Sequence, residues 1–319
     1  MNVELLIQHG NELFAPIVEE GITWATERKG CPGQLNFKIL YDGVVDFAEG
    51  DAVRMKVDDD EVFYGFIFTL KRDKDQIISI TAYDQLRYLK NKDTYVYKNK
   101  TAGEVVQMIA ADFNLRTGSI ENTGFKIPSR VEDNSALFDI IQNALDLTLE
   151  NRNEMYVLYD DFGKIALKSL DNMKVDILID EETGENFDYT SSIDGETYNK
   201  IKLTYENEES AKRDVYIAQS GQNINDWGVL QYTDTLKEGE NGSAKANALL
   251  NLYNHKRKNL SIKNAFGSTK VRAGSMIPVI LNLGDVKIQN MMMVEKCKHE
   301  FKENQHFMDL TLRGGDFVA

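Results

Sequence analysis

Apolar and polar side chains alternate along much of the first 90 residues, which is the pattern of half-buried β-strands. The alternating runs lie at residues 3–7, 22–24, 35–39, 53–57 and 78–82. Residues 63–69 are apolar on both sides, so we expect a strand that is covered on both faces. The acidic run 58–61 has nothing to bury and predicts a tight hairpin turn. Short antiparallel strands in this order predict a small β-barrel over residues 1–95.

A similar order of features returns near the C-terminus. Gly274-Ser275 stands where Gly50-Asp51 stands in the first part, and an alternating strand, a turn at Gly284-Asp285 and an apolar strand follow. A short hairpin arm is expected at Val286–Ile288, and the last strand ends at Leu312. The two segments do not align tightly, so we interpret them as repeated architecture and expect a second barrel over residues 191–319.

The hydrophobic period changes in the middle of the chain. Thr101 and Glu104 form a capping-box pattern before a helix, and residues 137–148 carry the apolar stripe of a second helix. A hairpin with a turn at Gly163 follows, so residues 96–190 predict an α+β insert. Alternating strands at 201–205 and 215–217 are assigned to the second barrel, which a helix at about 241–259 interrupts.

The predicted fold class is therefore mainly β with an α+β insert. It contains two similar small antiparallel β-barrels, the second split by a helical insertion. The predicted domains are a first barrel at 1–95, the α+β insert at 96–190 and a second barrel at 191–319, with its insertion at about 241–259.

Charge and composition narrow the function. The chain has 319 residues, a formal net charge of −14 and 42% hydrophobic residues, which suits a folded protein and argues against stable binding to nucleic-acid phosphates. No apolar run has the length of a membrane helix, so we expect no membrane insertion and folding in a cytoplasm. Cys31 and Cys297 lie far apart in the sequence and are expected to be free thiols.

Several clusters resemble binding sites, but each has a simpler interpretation. His255–Lys258 is either an anion patch or a set of cations at a helix C-terminus, and the second is favoured. Cys297, His299 and His306 could bind a metal, but no fourth ligand has a recognisable spacing. The acidic runs 58–61 and 180–182 do not match a calcium loop and are interpreted as solvated turns.

No motif of enzymatic chemistry is present. The sequence lacks G-x-S-x-G, H-E-x-x-H, a P-loop and G-x-G-x-x-G, and Met291–Met293 at strand spacing indicates core and interface rather than a soft-metal site. An acid pair for glycoside cleavage stays open, because the chain is rich in carboxylates. We therefore expect no catalytic, cofactor-binding or metal-binding residues, and no enzyme.

The order of motifs resembles a known family. A Gly-Asp turn, an alternating strand, an acidic turn, F-x-G-x-I at 63–67 and I-x-I-x-A-Y-D-x-L-R-Y-L at 78–89 resemble the baseplate hub proteins of contractile phage tails, in particular the XkdQ-like group of prophages and bacteriocins. The segment Asp226–Tyr232 resembles the same group, and the likeness extends along the whole chain. More distantly, the chain is similar to the central hub of T-even phages and the hub part of type VI secretion spikes.

The resemblance implies a structural role. In such particles the tail tube has six-fold symmetry and the spike three-fold symmetry, and a homotrimer with two similar barrels per chain presents six similar modules. Implied partners are tail tube, tape-measure or LysM-type, spike and baseplate wedge proteins, in a virion or tail-like particle assembled in the host cytoplasm. Alternatives are a tail-tip peptidoglycan hydrolase and a carbohydrate-binding or receptor-binding module. Infectious phage and bacteriocin both remain open.

Overall fold

The computed structural model describes residues 1–41, 43, 46–207, 212–236, 241–284 and 287–314. Its first barrel contains strands β1 (Val3–His9), β2 (Glu12–Phe14), β3 (Ile22–Glu27), β4 (Gln34–Leu40), β5 (Ala52–Val57), β6 (Asp60–Arg72) and β7 (Ile77–Tyr83). They pair antiparallel in the order β3-β4-β7-β6-β5-β1-β2. Among the described residues no strand pair joins β2 to β3, so the barrel is open there.

The alternation expected in this segment is confirmed. One side chain of every two points into a shared core, which includes Ile7, Leu35, Met55, Ile67 and Ile80. The predicted hairpin turn lies between β5 and β6, where Asp58 takes a positive φ of 53°. A 3-10 helix at Gln85–Lys90 then leads out of the barrel.

The middle domain follows. It consists of β8 (Lys92–Lys100), α1 (Ala102–Asp112), β9 (Thr117–Ile120), β10 (Ile127–Ala136), α2 (Leu137–Arg152), β11 (Tyr156–Asp160), β12 (Ile165–Ser169) and a 3-10 helix at Leu170–Met173. Thr101 caps α1 in a complete capping box with Glu104, as predicted. The predicted stripe of α2 is buried from Leu137 to Thr148, and Gly163 takes a φ of 82° in the hairpin turn.

After β13 (Asn186–Ser192) the chain enters an inserted domain. Its elements are β14 (Lys200–Asn207), β15 (Lys212–Gln219), α3 (Gly221–Trp227), β16 (Gln231–Thr235) and α4 (Gly242–Tyr253). β14 lies between antiparallel β15 and parallel β16, and buries Ile201 and Leu203 against Ala246 and Leu249 of α4. The strands that we expected in the second barrel at 201–205 and 215–217 therefore belong to a separate sheet, and that assignment is wrong.

The predicted helix at about 241–259 is also too long. α4 ends at Tyr253, and Arg257 already begins β17 (Arg257–Phe266). The reason is burial, because Leu260 and Ile262 alternate into the core of the second barrel while β17 pairs with strands on both sides.

The second barrel is completed by β18 (Met276–Asn282), β19 (Lys287–Lys302) and β20 (Gln305–Gly314). With β13 and β17 these strands pair antiparallel in the order β13-β17-β20-β19-β18. Their core contains Ile262, Val279, Val294, Leu310 and Leu312. Of the predicted hairpin arm, Val286 and the neighbouring Asp285 lie outside the described residues, and Ile288 is part of β19.

The two barrels share one sheet. β19 also pairs with β3 of the first barrel, so twelve strands of the described part form a continuous hydrogen-bonded sheet. No helix in the ranges that the structure describes is long and apolar enough to cross a membrane.

Candidate functional site

The first barrel contains a turn that ties the start of β5 to the middle of β6. Gly50 donates its N–H to the carbonyl of Ile67 at 2.8 Å, and Ile67 donates to the carbonyl of Asp51 at 2.9 Å. Asp51 donates to the carbonyl of Ala48, and its carboxylate accepts the Ala48 N–H at 2.7 Å. Gly50 takes a φ of 94°, which favours glycine.

The second barrel repeats this turn residue for residue. Gly274 donates to the carbonyl of Val294 at 2.7 Å, and Val294 donates to the carbonyl of Ser275 at 2.8 Å. Ser275 donates to the carbonyl of Arg272, and its hydroxyl accepts the Arg272 N–H at 3.1 Å. The φ of Gly274 is 92°. The equivalence of Gly274-Ser275 with Gly50-Asp51 is therefore a structural one.

The strand order is repeated as well. β5-β6-β7-β4-β3 in the first barrel corresponds to β18-β19-β20-β17-β13 in the second, with every pair antiparallel. A register shift follows Ile67 in the first barrel and Val294 in the second. The chain thus contains two similar antiparallel units, as predicted.

A joint connects the two units through β19. Its first half pairs with β18, and beyond the bulge its residues Lys296–Phe301 pair with Glu27–Ile22 of β3. Glu295 lies at this bulge and accepts two hydrogen bonds from Arg28, at 2.8 and 3.1 Å. Although burial favours the neutral acid, the hydrogen bond and charge of Arg28 hold the pKa of Glu295 below its usual value. The pair fixes the first barrel to the bulge of the second.

Behind this pair lies a row of rings and one thiol. His299 stacks on Trp24 of the first barrel, with 4.6 Å between ring centroids. Its Nε2–H donates to the carbonyl of Val271 at 2.9 Å, which leaves Nδ1 to accept from the Nε2–H of His306 at 2.9 Å. The Cys297 sulfur lies 3.1 Å from the same Nε2. Three of the predicted candidates are therefore adjacent.

The described residues contain no group of three acidic, histidine or cysteine side chains that could hold a metal. The ring nitrogens of His299 are both engaged in hydrogen bonds, and burial raises the pKa of the Cys297 thiol, so it remains protonated and inert. Burial, with the neighbouring His306, lowers the pKa of His299 to about 3, and burial lowers that of His306 to about 4. The rings and the thiol pack the joint.

Arg272 extends the joint to the middle domain. Its guanidinium lies over the rings of Trp24 and Tyr159, at 5.5 and 4.8 Å, and donates to the carbonyl of Asp160 at 2.6 Å. The N–H of Ala273, the next residue, donates to the Thr26 hydroxyl at 2.9 Å. The turn at Arg272 and Ala273 of the second barrel therefore contacts both the first barrel and the middle domain.

Two buried carboxyl groups lie beside Arg272. Asp84 accepts the N–H groups of Gly33 and Leu86, and burial, with the charge of Asp160, holds its pKa well above the usual value. Asp160 accepts the Gly163 N–H, but its Oδ2 has no hydrogen-bond partner among the described atoms. Burial raises the pKa of Asp160 to about 6. These groups and Arg272 line a small cavity where the three parts meet.

The middle domain is attached to the first barrel by polar and aromatic contacts. The Gln85 side chain bonds both ways with the backbone of Arg116, at 2.9 and 3.0 Å. Tyr64 packs edge-on against Phe162 at 5.8 Å between centroids. Residues 63–68 of β6 are therefore covered on both faces, because Tyr64 and Phe66 lie half-buried opposite the core. The predicted coverage does not extend to Thr69, which is exposed.

The remaining predicted candidates are structural. Cys31 is a free, half-buried thiol, and Cys297 is free and buried. In the turn 58–61, Asp60 accepts from the Thr269 hydroxyl, and in the turn 180–182 Glu181 accepts from the Asn282 N–H. Neither acidic run belongs to a group of metal-binding geometry in the described ranges.

Two further groups from the sequence analysis are the basic cluster His255–Lys258 and the methionines Met291–Met293. The prediction that the cations of His255–Lys258 lie on the last helical turn is wrong, because α4 ends at Tyr253. Arg257 instead forms an ion pair with Glu196 at 2.9 Å. Met292 and Met293 are buried, whereas Met291 is exposed.

Sequence reasoning missed Arg272, Asp160 and Gln85 as members of the joint. Arg272 and Asp160 stand in no recognisable motif, whereas Asp84 and Gln85 lie within the motif at 78–89 that carries the resemblance, Gln85 at an unspecified position. Their contacts join residues distant in sequence, 31 positions apart for Gln85 with Arg116 and 112 for Arg272 with Asp160.

The chain matches the model of the YqbQ-like family over residues 22–313. The phage-like element PBSX protein XkdQ of Bacillus subtilis (strain 168) is 33% identical over 97% of this chain and 96% of that protein. Among solved structures, the 43 kDa tail protein of prophage MuSo2 from Shewanella oneidensis has a TM-score of 0.71, with 11% identity, covering 99% of this chain and 100% of that one.

An Escherichia coli component of the type VI secretion system, described as similar to the T4 tail proteins gp27 and gp5, has a TM-score of 0.59 and 10% identity, covering 98% of this chain and 78% of that one. The fold is thus shared with phage tail and type VI secretion proteins. Because the family model and the XkdQ match both extend along nearly the whole chain, the protein belongs to the YqbQ-like family.

Proposed function

We propose that this protein is a structural baseplate hub of a contractile phage tail or phage-tail-like particle. In this role three copies form an adaptor between a six-fold tail tube and a three-fold spike. The observation that carries the proposal is the duplicated barrel, with its repeated turn and strand order. A trimer then presents six similar units to the tube while keeping three-fold symmetry toward the spike.

The construction of the joint supports a passive, rigid role. β19 and β3 share a ladder of six residue pairs, and the Arg28–Glu295 pair and the stacked Trp24–His299 rings lie beside it. Such contacts hold the two barrels of one chain at a fixed angle. A fixed angle is what a ring of repeated units requires, because an error in each joint accumulates around the ring.

The location and the partners that we propose are based on the family to which the chain belongs. The relative XkdQ is a protein of a phage-like element, which supports a location in a virion or tail-like particle. The partners that we propose are tail tube and tape-measure or LysM-type proteins on one side, and spike and wedge proteins on the other. The net charge of −14 disfavours adhesion of DNA to the hub.

Stoichiometry in purified particles tests this proposal. Tail particles are dissociated gently, and native mass spectrometry measures the hub-containing subcomplex. We expect three copies of the 36.3 kDa chain per particle. A copy number of one or six would remove the symmetry argument. The free chain is measured in parallel, because assembly can require the spike or tube.

A further inference from the structure

Each of the two repeated units has a strand edge without a partner strand among the described residues. β13 is one of the two terminal strands of the twelve-stranded sheet and pairs only with β17. β6 pairs with β5 only as far as Phe66, so its last residues, Thr69–Arg72, pair only with β7. Unpaired edges are templates for adding a strand, and proteins commonly protect them.

The structural repeat identifies the strand edge in the other barrel that corresponds to each of these unpaired edges. The segment Thr69–Arg72 follows the bulge after Ile67, as Lys296–His299 follows the bulge after Val294. Both segments then pair with the next strand of their own unit in the same register, Thr69 opposite Thr81 and Lys296 opposite Thr311. The free edge of β6 thus corresponds to the edge of β19 that is occupied.

The strand that pairs with the occupied edge of β19 is β3. In the strand order of the second barrel, β13 stands where β3 stands in the first. Trp24 of β3 lies opposite Leu35, and Tyr189 of β13 lies opposite Leu260, at matching positions of the two sheets. Within the chain, β19 of the second barrel is therefore paired with β3 of the first. The two equivalent edges, on β6 of the first barrel and β13 of the second, have no partner strand in the ranges that the structure describes.

We propose that β6 of one copy pairs antiparallel with β13 of a second copy, which rests on the proposed hub function. The register follows from the intrachain joint, where His299 lies opposite Trp24 and Lys296 opposite Glu27. Transferred to the empty edges, this register places Arg72 opposite Tyr189, Lys71 opposite Thr190, Leu70 opposite Ser191 and Thr69 opposite Ser192.

The side chains at these edges suit such a contact. Lys71, Arg72 and Thr190 are exposed, so the charged edge of β6 resists nonspecific strand addition in the free chain. Arg72 lies over the ring of Tyr41 at 4.5 Å, and a guanidinium held this way can also contact Tyr189 of a neighbour. The pairing ends at Arg72, because the Asp73 N–H already donates to the carbonyl of Ile77 in the β6–β7 turn.

The proposed contact is head-to-tail, which generates either a closed ring or an open filament. Here each chain supplies one internal joint and one joint to its neighbour, with the same strand pairing but different side chains, since Phe68 stands at the bulge position that Glu295 occupies in β19. Three chains then contain six joints of equivalent strand pairing, with first and second barrels alternating. A closed ring of six requires each joint to turn one unit relative to the next by about one sixth of a full turn.

Disulfide trapping tests the register. In a Cys31→Ser background, Lys71→Cys and Thr190→Cys are combined, and assembled particles are oxidised. Residues directly opposite in an antiparallel pair have Cβ atoms about 4.5–5.5 Å apart, close enough for a disulfide with small adjustment. We expect the monomer band on a nonreducing gel to convert to covalent dimer and trimer, and to nothing larger. Cys297 is buried and stays in place.

The matched control combines Thr69→Cys with Thr190→Cys, two residues out of register, and each single variant is also oxidised. We expect these to stay monomeric on the gel. A trimeric particle whose 71–190 pair does not cross-link, or in which only 69–190 does, overturns the register and leaves the hub function standing. Covalent chains longer than three overturn the closed ring, and particles without a trimer overturn the hub function itself.

Hydrogen exchange of the unmodified protein gives a second readout if the cysteine variants do not assemble. The edge amides of Thr69–Arg72 and Tyr189–Ser192 that have no partner in the free chain should exchange fast there and slowly in the particle. Fast exchange of both segments in assembled particles would contradict the pairing.

Discussion

Glu295 and Arg28 are the residues whose loss should loosen the joint most directly. Arg28 is 7% exposed, and Glu295→Gln removes its counter-charge while keeping the shape of the side chain. We expect a loss of about 2–3 kcal/mol in the free energy of unfolding, since hydrogen bonds to charged groups contribute on that order. Urea unfolding of the variant measures it.

The matched control is Asp171→Asn, which breaks the exposed ion pair with Lys174. An exposed pair contributes little, so this change should alter stability by about 0.5 kcal/mol or less. Equal losses in the two variants would mean that the Arg28–Glu295 pair does not stabilise the joint.

His299 and His306 should make the joint sensitive to acid. Both have a folded-state pKa below the ordinary value of 6.5, so the unfolded chain binds more protons as the pH falls below 6.5. Their contribution to stability is present above 6.5 and is lost progressively toward pH 4, by up to about 1.4 kcal/mol per pH unit for each histidine.

A comparison of wild type with His306→Gln isolates this effect. The raised pKa values of Asp84 and Asp160 act in the opposite direction, because the folded state binds protons at these groups more readily, and they are common to both proteins. Between pH 6.5 and 4, the melting temperature of the variant should fall less steeply than that of wild type. Parallel curves would contradict the assignment.

At the scale of elements, the repeated turn provides its own internal comparison. Gly50 and Gly274 have nearly the same φ, but a Cβ at Gly50 meets open space, whereas one at Gly274 would lie 2.3 Å from Val157 of the middle domain. Gly50→Ala should cost only backbone strain, about 1–2 kcal/mol. Gly274→Ala should cost more, because Val157 must also move.

Adding Val157→Ala to Gly274→Ala separates the two causes. If steric overlap with the middle domain adds to the strain, the double variant should lose less stability than the sum of the two single variants. Urea unfolding of all four proteins checks it, and identical costs for Gly50→Ala and Gly274→Ala would show that the turn does not press on the middle domain.

Local patterns predicted most elements of this fold. The capping box of Thr101 and Glu104, the buried stripe of α2 and the positive φ of Gly163 are each determined by neighbours within a few residues. The shared order of turn and strands also predicted the repeat, because glycine and the strand pattern mark the same positions in both units.

Contacts distant in sequence were beyond this reasoning. Alternation in Ile201 and Leu203 shows that one strand face is buried, but not which sheet buries it, so β14 was assigned to the wrong sheet. The 16-residue length of β19, which lets it pair with both β18 and β3, depends on partners from the two ends of the chain. The Arg272–Asp160 contact has the same origin.

At the scale of the whole molecule, we expect no cell-wall hydrolysis. Burial raises the pKa of the Cys297 thiol, and both carboxylate oxygens of Asp84 and one of Asp160 accept backbone N–H groups. Gram-positive cell walls incubated with the purified protein should show no fall in turbidity and no release of sugar or amine ends. Clear lysis at catalytic ratios of protein would contradict the structural role.

The repeated barrels give the molecule an approximate internal symmetry that a three-fold assembly can double. Within the chain, the β19–β3 ladder and the Arg28–Glu295 pair join the two barrels, whereas the last residues of β6 and the outer edge of β13 have no partner strand in the described ranges. The inserted and middle domains lie between elements of the two barrels in sequence and leave their strand order unchanged.

A cryo-electron microscopy map of the tail tip is the most direct test of this account. Reconstructed without imposed symmetry, the map should show a ring of six β units around a channel, with first and second barrels alternating and three copies of the chain present. A map in which the protein is absent from the tip, or in which the two barrels of one chain do not occupy neighbouring positions in a single ring, would contradict it.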